Sequence, residues 1–435
     1  MNLRPFLFAA LCAVFSTCSF AAGKVVLKAA KLIDGRGGAP LAPAMVAVEG
    51  DRIVGVGSQL PVPEGAKVID LGDATLLPGL IDLHTHLCGK YGVHWEDELV
   101  KTTPAFSALW GAHNARITLD AGFTTVRDMG TAWPYVDVEL RDAIEAGAVP
   151  GPRMMVAGSY VSSTGGAGDA QQFSPYVLVP SVDNLADSPQ EVVKQVRKNF
   201  KHRADFIKLL ATGAVLSKGQ APAAQQFSDE EILAAVTEAN RWGRQVAVHA
   251  HGLGGIKTSI RAGVRTIDHG SYLDDEAIRM LQTSNRKTFY VPTLYTSTVI
   301  ARQGREANIP ESEIMRSKAI SAIKDEGFRR AVAAGLPIGF ATDSAVIPHG
   351  ENAHEFLERA RLGEKPMDAI VSATSLNAEI MGWGDRVGAI APGKFADLIA
   401  VAADPLADIK ALLDVGFVMK GGRVWKDRLS RRAPE

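Results

Sequence analysis

His84-Thr85-His86 closes the apolar run Leu76-Leu77-Pro78-Gly79-Leu80-Ile81-Asp82-Leu83. Side chains alternate along an extended strand, so both imidazoles point the same way. Two neutral imidazoles converging on one point make half of a transition-metal site; a pair of hydrogen-bonded structural histidines is the plainer reading. Other apolar runs carry or end in metal-capable groups too: Lys208 inside Phe206-Ile207-Lys208-Leu209-Leu210, then His249-Ala250-His251-Gly252, Asp268-His269-Gly270 and Thr342-Asp343-Ser344 at the ends. Singly, a strand-end histidine is a structural residue and a strand-end aspartate a helix N-cap. Together they point to a metal site. A lysine buried in an apolar strand has a lowered pKa, and its neutral amine can add carbon dioxide to give a carbamate able to bridge two cations. Pairing of Lys208 with a nearby aspartate or a substrate carboxylate is the alternative. Cys88, two residues past His86, is either a soft ligand or a small buried neighbour of the site, and the second reading is preferred.

The elements that must hold these groups are legible as a change of texture along the chain. Residues 24 to 75 read as short strands, at Val25–Leu27, Met45–Val48, Arg52–Val56 and Lys67–Asp70, with Gly50-Asp51 as a hairpin turn. The C-terminal end repeats the texture at Leu398–Val401, Val415–Met419 and Gly421–Trp425. Neither end buries a core alone, so one small β-sandwich built from both is expected. Between them, strands alternate with amphipathic helical segments: Leu76–Leu83, Phe123–Arg127, Arg153–Ala157, Phe206–Leu210, Gln245–Val248, Thr266–Ile267, Phe289–Val291 and Pro337–Ala341. Ser228 with Glu231 predicts a capping box opening a helix over Asp229–Trp242. This pattern predicts an α/β fold, a (β/α)8 TIM barrel over residues 76–385 flanked by sandwich segments at 22–75 and 386–435. No Gly-x-Gly-x-x-Gly follows the first strand, which argues against a dinucleotide site.

The 435 residues are 46% hydrophobic and carry a formal net charge of −1. No basic field exists to hold nucleic acid, so a small-molecule or dipeptide substrate is expected. Arg4, the apolar run Phe6–Phe15 and Ser19-Phe20-Ala21 read as a signal peptide over residues 1–21, cleaved near Ala21-Ala22. The expected enzyme is therefore periplasmic or secreted, a homo-oligomer, and not stably membrane-associated after cleavage. Loss of that segment removes Cys12 and Cys18, leaving Cys88 without a disulfide partner.

The chain resembles the amidohydrolase superfamily over almost its whole mature length. Pro78-Gly79-Leu80-Ile81-Asp82-Leu83-His84-Thr85-His86 matches the strand-one signature, and Ala391-Pro392-Gly393-Lys394-Phe395-Ala396-Asp397-Leu398 the return into the sandwich. Phe206 to Ser217, Val248-His249-Ala250-His251-Gly252 and Ile267-Asp268-His269-Gly270 are similar to the imidazolonepropionase-like group of prolidase-like and Xaa-Arg/Lys dipeptidases and ochratoxin-hydrolysing amidases. The resemblance implies two divalent metal ions, most often zinc. His84, His86 and Asp343 would hold the buried one and His249 and His269 the exposed one, with carboxylated Lys208 and a hydroxide between them. Asp343 would act as general base and then general acid, with His251 as a catalytic or substrate-contacting group or a structural hydrogen bond.

One departure concerns the loop after the third strand, Ser163-Thr164-Gly165-Gly166-Ala167-Gly168-Asp169, where Ala167 stands in place of the group's histidine. Oxyanion stabilisation would pass to the metal or to a tyrosine, Tyr160, Tyr290 or Tyr295; Tyr290 and Tyr295 are also candidates for binding a substrate carboxylate, with aromatic packing as the alternative. Arg127, Asp128, His349 and His354 are candidates for the surrounding loops. The expected activity is hydrolysis of an amide bond to a C-terminal amino acid, in a dipeptide, an N-acyl amino acid or an ochratoxin-like amide. The alternative is ring opening of a cyclic amide or deamination, but deaminases of the superfamily place a glutamate where Gly252 stands. A non-catalytic scaffold would have lost ligands that are present here.

Overall fold

The apolar run expected as one strand from Leu76 to Leu83 is two strands meeting at Gly79. In the computed structural model, which describes residues 23–430 apart from 175, 178, 180–183, 220, 285 and 286, the chain changes partners there. Strand β6 (Thr75–Pro78) pairs antiparallel with β14 (Leu398–Val401), whereas β7 (Leu80–Thr85) pairs parallel with β8 (Phe123–Asp128). A Cβ on Gly79 would lie 2.0 Å from the Thr124 hydroxyl, so only glycine allows this crossing. The expected signal peptide lies outside the described residues. Among the described residues, no helix is long and apolar enough to cross a membrane.

The chain ends form two sheets. β1 (Lys24–Ala29), β3 (Ala44–Glu49), β4 (Arg52–Gly57) and β5 (Lys67–Asp70) stand in the order β4-β3-β1-β5. β2 (Lys31–Leu32), β6, β14, β15 (Val415–Lys420) and β16 (Arg423–Asp427) stand in the order β16-β15-β14-β6-β2. Strand alternation, with a register shift between Ala400 and Val401 that turns Val415 over, explains how they pack. Leu398, Ala400, Phe417 and Met419 share one apolar cluster with Leu27, Val46, Val48 and Ile69 of the first sheet. Ile399, Val401, Val415 and Val418 face the other way, onto Leu119, Phe123 and Phe340 of the central unit. The C-terminal motif fastens the two parts: Asp397 takes Arg153 at 2.6 and 3.1 Å, and the guanidinium groups of Arg52 and Arg153 each lie 3.7 Å from the centre of the Phe395 ring.

The central unit is α/β. β7, β8 and β9 (Arg153–Val156) form one parallel ladder; β10 (Ile207–Leu210), β11 (Val246–Ala250), β12 (Thr266–His269) and β13 (Phe289–Val291) form a second. A parallel bridge between Val161 and Leu209 links the ladders, and another joins Tyr290 to Ile338. The eighth expected strand, Pro337–Ala341, is not a regular strand. Side chains take the backbone groups a ladder would use: Asn377 accepts from the Phe340 N–H at 3.0 Å and donates to its carbonyl at 2.8 Å, while Arg359 donates to the Gly339 carbonyl. The segment still bonds back to the first strand, from Leu83 N–H to the Phe340 carbonyl (3.1 Å), Asp343 N–H to that of His84 (2.8 Å) and His86 N–H to that of Ser344 (2.9 Å). Helices cover the ladders. The one over Asp229–Arg241 opens with the expected capping box, Ser228 and Glu231 each bonding the other's backbone N–H.

Candidate metal centre and substrate cavity

Because the strands are parallel, their C-terminal ends lie together, and the polar residues there converge on a cavity of about 260 Å³. His84, His86, Lys208, His249, His251, His269 and Asp343 all line it. His84, at the end of β7, has its Nε2 3.5 Å from Asp343 Oδ1, and His86 has its Nε2 3.4 Å from the same oxygen. His84, His269 and Asp343 each offer one ligand atom within 4.8 Å of the others. The His249 ring centre is 4.6 Å from that of His269 and 4.7 Å from that of His251. His269 and Asp343 both have positive φ, 69° and 63°, a backbone state seldom used by non-glycine residues and concentrated at functional sites.

Outer hydrogen bonds fix how each ring is turned, as metal-binding histidines require. His86 Nδ1 meets the Gly130 carbonyl at 2.5 Å, His249 Nε2 the Gly213 carbonyl at 3.2 Å, and His269 Nδ1 the Thr293 hydroxyl at 2.9 Å. A carbonyl accepts only, so His86 and His249 carry protons on those outer nitrogens, which leaves the second nitrogen of each ring for another partner. His251 is held in the same way, its Nδ1 2.8 Å from Ser271 Oγ.

The charges suit a cation. Burial pushes the His84 imidazole down to about 4, with Lys208 adding to the effect. Burial with Lys208 takes His249 to about 3. His251 and His269 are lowered for the same first reason, with His249 adding to it. Burial lowers Lys208 as well, against the pull of Asp268 and Asp343. Burial would raise the Asp343 carboxyl, yet His84, His86 and Lys208 together hold it below its usual range. His86 alone shifts up, burial being outweighed by Asp343. Imidazoles that burial mostly keeps neutral, an ionised carboxylate and a lysine whose ammonium burial disfavours are a donor set that fits divalent metal.

Two expected contacts lie elsewhere. Tyr290 is buried in the apolar core beneath Gly270, because residues of β13 alternate and its ring falls on the helix side. Tyr295 donates to Glu351 at 2.9 Å and stacks on His354, ring centres 5.1 Å apart, in the wall behind the cavity. Tyr160 does line the cavity, beside Trp95, and so does Ala167, whose N–H donates to Gln226 at 2.9 Å. Arg127 and Asp128 are braces: Arg127 donates to the Leu83 carbonyl at 2.8 Å, and Asp128 accepts from Leu87 N–H at 2.7 Å. His349 bonds the Gly89 carbonyl at 2.9 Å. Cys88 is buried in an apolar cluster with Ala115 and Val126, and burial raises its thiol pKa, so it is a packing residue. Sequence reasoning gave no role to Asp268, Lys324, Glu98 or Glu313; the first touches His84 and Lys208, and the other three line the cavity.

The chain is 31% identical over 431 residues to the ochratoxinase of Aspergillus niger, covering 93% of this chain and 87% of that protein. It resembles a solved Xaa-Pro dipeptidase with bound methionine in its active site (TM-score 0.87, 35% identity, 93% of this chain and 100% of that one). It also resembles a prolidase complexed with N-methylphosphonate-L-proline (TM-score 0.86, 30% identity, again 93% and 100%). The sequence profile of the Amidohydrolase family matches residues 75–425: the chain belongs to that family and is a hydrolase of C–N amide bonds.

Proposed function

We propose that the protein is a two-metal amidase that splits the amide bond to a C-terminal amino acid, in a dipeptide, an N-acyl amino acid or an ochratoxin-like amide. The observation that carries this reading is the convergence of His84, His86, Lys208, His249, His269 and Asp343 on one cavity. As the family resemblance implies, His84, His86 and Asp343 would hold one divalent cation, zinc by preference, and His249 and His269 the other, with carboxylated Lys208 between them. Cations bound there would acidify a water molecule and polarise the scissile carbonyl. The remaining work falls to the chain. Asp343 takes the proton of the attacking water on a carboxylate oxygen and returns it to the leaving nitrogen. His251, its Nδ1 tied to Ser271, offers Nε2 to the substrate. Trp95, Leu216, Ile300 and Ile320 give the cavity an apolar wall that limits water.

The amidase reading is preferred to deamination on one observation. A Cβ on Gly252 would lie 2.1 Å from the Ala223 carbonyl oxygen, so no acidic proton shuttle fits that position. We also propose that the parallel strands close as a (β/α)8 barrel over residues 76–385, that residues 22–75 and 386–435 form a β-sandwich, and that residues 1–21 direct export.

Release of free amino acid from a panel of dipeptides and N-acyl amino acids tests the activity; a flat panel with turnover of a hydantoin or imidazolone would favour ring opening. Metal content and turnover of Lys208→Ala and Asp343→Asn test the centre. Full retention of both in the two variants would sink it.

A further inference from the structure

The helix Glu311–Ala333 lays one face along the cavity. Glu313, Ser317, Ile320 and Lys324 all line it, and their spacings of four, three and four residues keep them on that face. At 1.5 Å per residue the stripe is about 16 Å long. Its ends differ in charge and in place. Lys324 Nζ donates to the Thr293 carbonyl at 3.0 Å, and the Thr293 hydroxyl holds His269 Nδ1, so this cation marks the end beside the histidine cluster.

Glu313 marks the other end. It is 3% exposed, and its carboxylate is half used. Oε1 lies 3.4 Å from Arg316, whose second amino group donates to the Ser217 carbonyl at 2.7 Å; Oε2 is buried without a hydrogen-bond partner. A buried carboxylate oxygen with no donor is costly and uncommon, and it marks a place where a donor is missing. Ile309 and Ile320 supply apolar surface near Glu313 that suits an aliphatic stem.

We propose that Glu313 forms a subsite for a positively charged group of the substrate, an ammonium or a guanidinium. The proposal rests on the amidase reading and adds to it a substrate class: amides that carry a cation as well as the C-terminal carboxylate. The two sources of the charge, a free N-terminal amine and a basic side chain, are separable by substrate pairs.

Four substrates suffice: Ala-Arg, Ala-citrulline, N-propionyl-Arg and N-propionyl-citrulline. Citrulline keeps the shape of arginine without its charge, and a propionyl group keeps the carbon skeleton of alanyl without its ammonium. The natural enzyme should favour the charged member of one pair by about tenfold or more in kcat/KM, as a charge-assisted buried hydrogen bond provides. Glu313→Gln should shrink that ratio about tenfold, chiefly through KM. The pair that responds names the source of the charge. Ratios near one in both pairs, or a preference that Glu313→Gln leaves in place, overturn the subsite. If none of the four is cleaved, the amidase reading stands or falls on the wider panel, and calorimetric binding of Ala-Arg against N-propionyl-citrulline still decides the subsite. Equal affinities would overturn it; tighter binding of Ala-Arg, lost in Glu313→Gln, would uphold it.

Discussion

Asp268 Oδ2 lies 3.0 Å from His84 Nδ1, on the side of the ring turned away from Asp343. The same carboxylate is 3.3 Å from Lys208 Nζ and 3.3 Å from Arg127, and it is fully buried. One anion therefore orients a histidine, steadies the strand-four lysine and neutralises a buried guanidinium. Asp268→Asn keeps the shape but leaves Arg127 unpaired, a loss of about 3–5 kcal/mol for a broken buried pair. The expected outcome is a lower melting temperature together with a fall in bound metal. An Asp268→Asn protein with natural metal content and melting temperature would show that the contact orients nothing.

His251 lines the cavity, but its ring is tied to Ser271 rather than to Asp343. His251→Ala should keep full metal content and lose turnover by one to two orders of magnitude, the usual contribution of a positioned polar group. Elemental analysis beside steady-state kinetics reads both. Loss of metal in this variant would make His251 a ligand and not a substrate contact.

Removing metal should be felt in the fold as well as in the rate. His269 and Asp343 are held in left-handed backbone states, and ligand binding to the native state alone stabilises it by mass action. Treatment with a chelator should lower the melting temperature and abolish turnover. Zinc with bicarbonate should restore both faster than zinc in carbon dioxide-free buffer, if Lys208 must be carboxylated. Equal recovery in the two buffers would count against the carbamate.

Most of the centre was legible in the sequence, because each ligand candidate ends an apolar run and period-two alternation says which way it points. The parts that were not legible depend on distance in the chain. Tyr290 and Tyr295 follow the same strand-end rule but turn away from the cavity, since packing against Gly270 and His354 decides their rings. Glu313 and Lys324 sit on a helix, where spacing defines a face without saying what it faces. Gly79 read as part of one strand because nothing local reports that Thr124 crowds it. The eighth strand was readable by its apolar residues, while the side chains that replace its ladder, Asn377 and Arg359, come from later in the chain.

The capping box over Ser228 and Glu231 is local, exposed and away from the cavity, so it isolates stability from chemistry. Ser228→Ala removes the acceptor for the Glu231 N–H and should lower stability by about 1 kcal/mol. Thermal unfolding reads the change. A drop several times larger would mean that the helix over Asp229–Arg241 carries more of the fold than its packing against neighbouring helices suggests.

Lys420, at the end of β15, donates its ammonium to the Gly151 carbonyl at 2.5 Å, where the terminal sheets meet the central unit. Burial, with Arg153 adding to it, pushes this ammonium from 10.5 down to about 8. The unfolded chain keeps the ordinary value, so between pH 8 and 10.5 it holds more protons than the folded chain. Stability from this group therefore rises with pH across that window, and below pH 8 the full burden of burying the charge is present. Lys420→Met cannot titrate. Compared at pH 7.5 and at pH 10.5, the stability of the natural protein relative to Lys420→Met should shift toward the natural protein by at most roughly 3 kcal/mol. Denaturant midpoints at the two pH values measure the shift, and the other groups cancel between the two proteins. A difference that stays constant, or moves toward the methionine variant as the pH rises, would show that the ammonium is not held down at this junction.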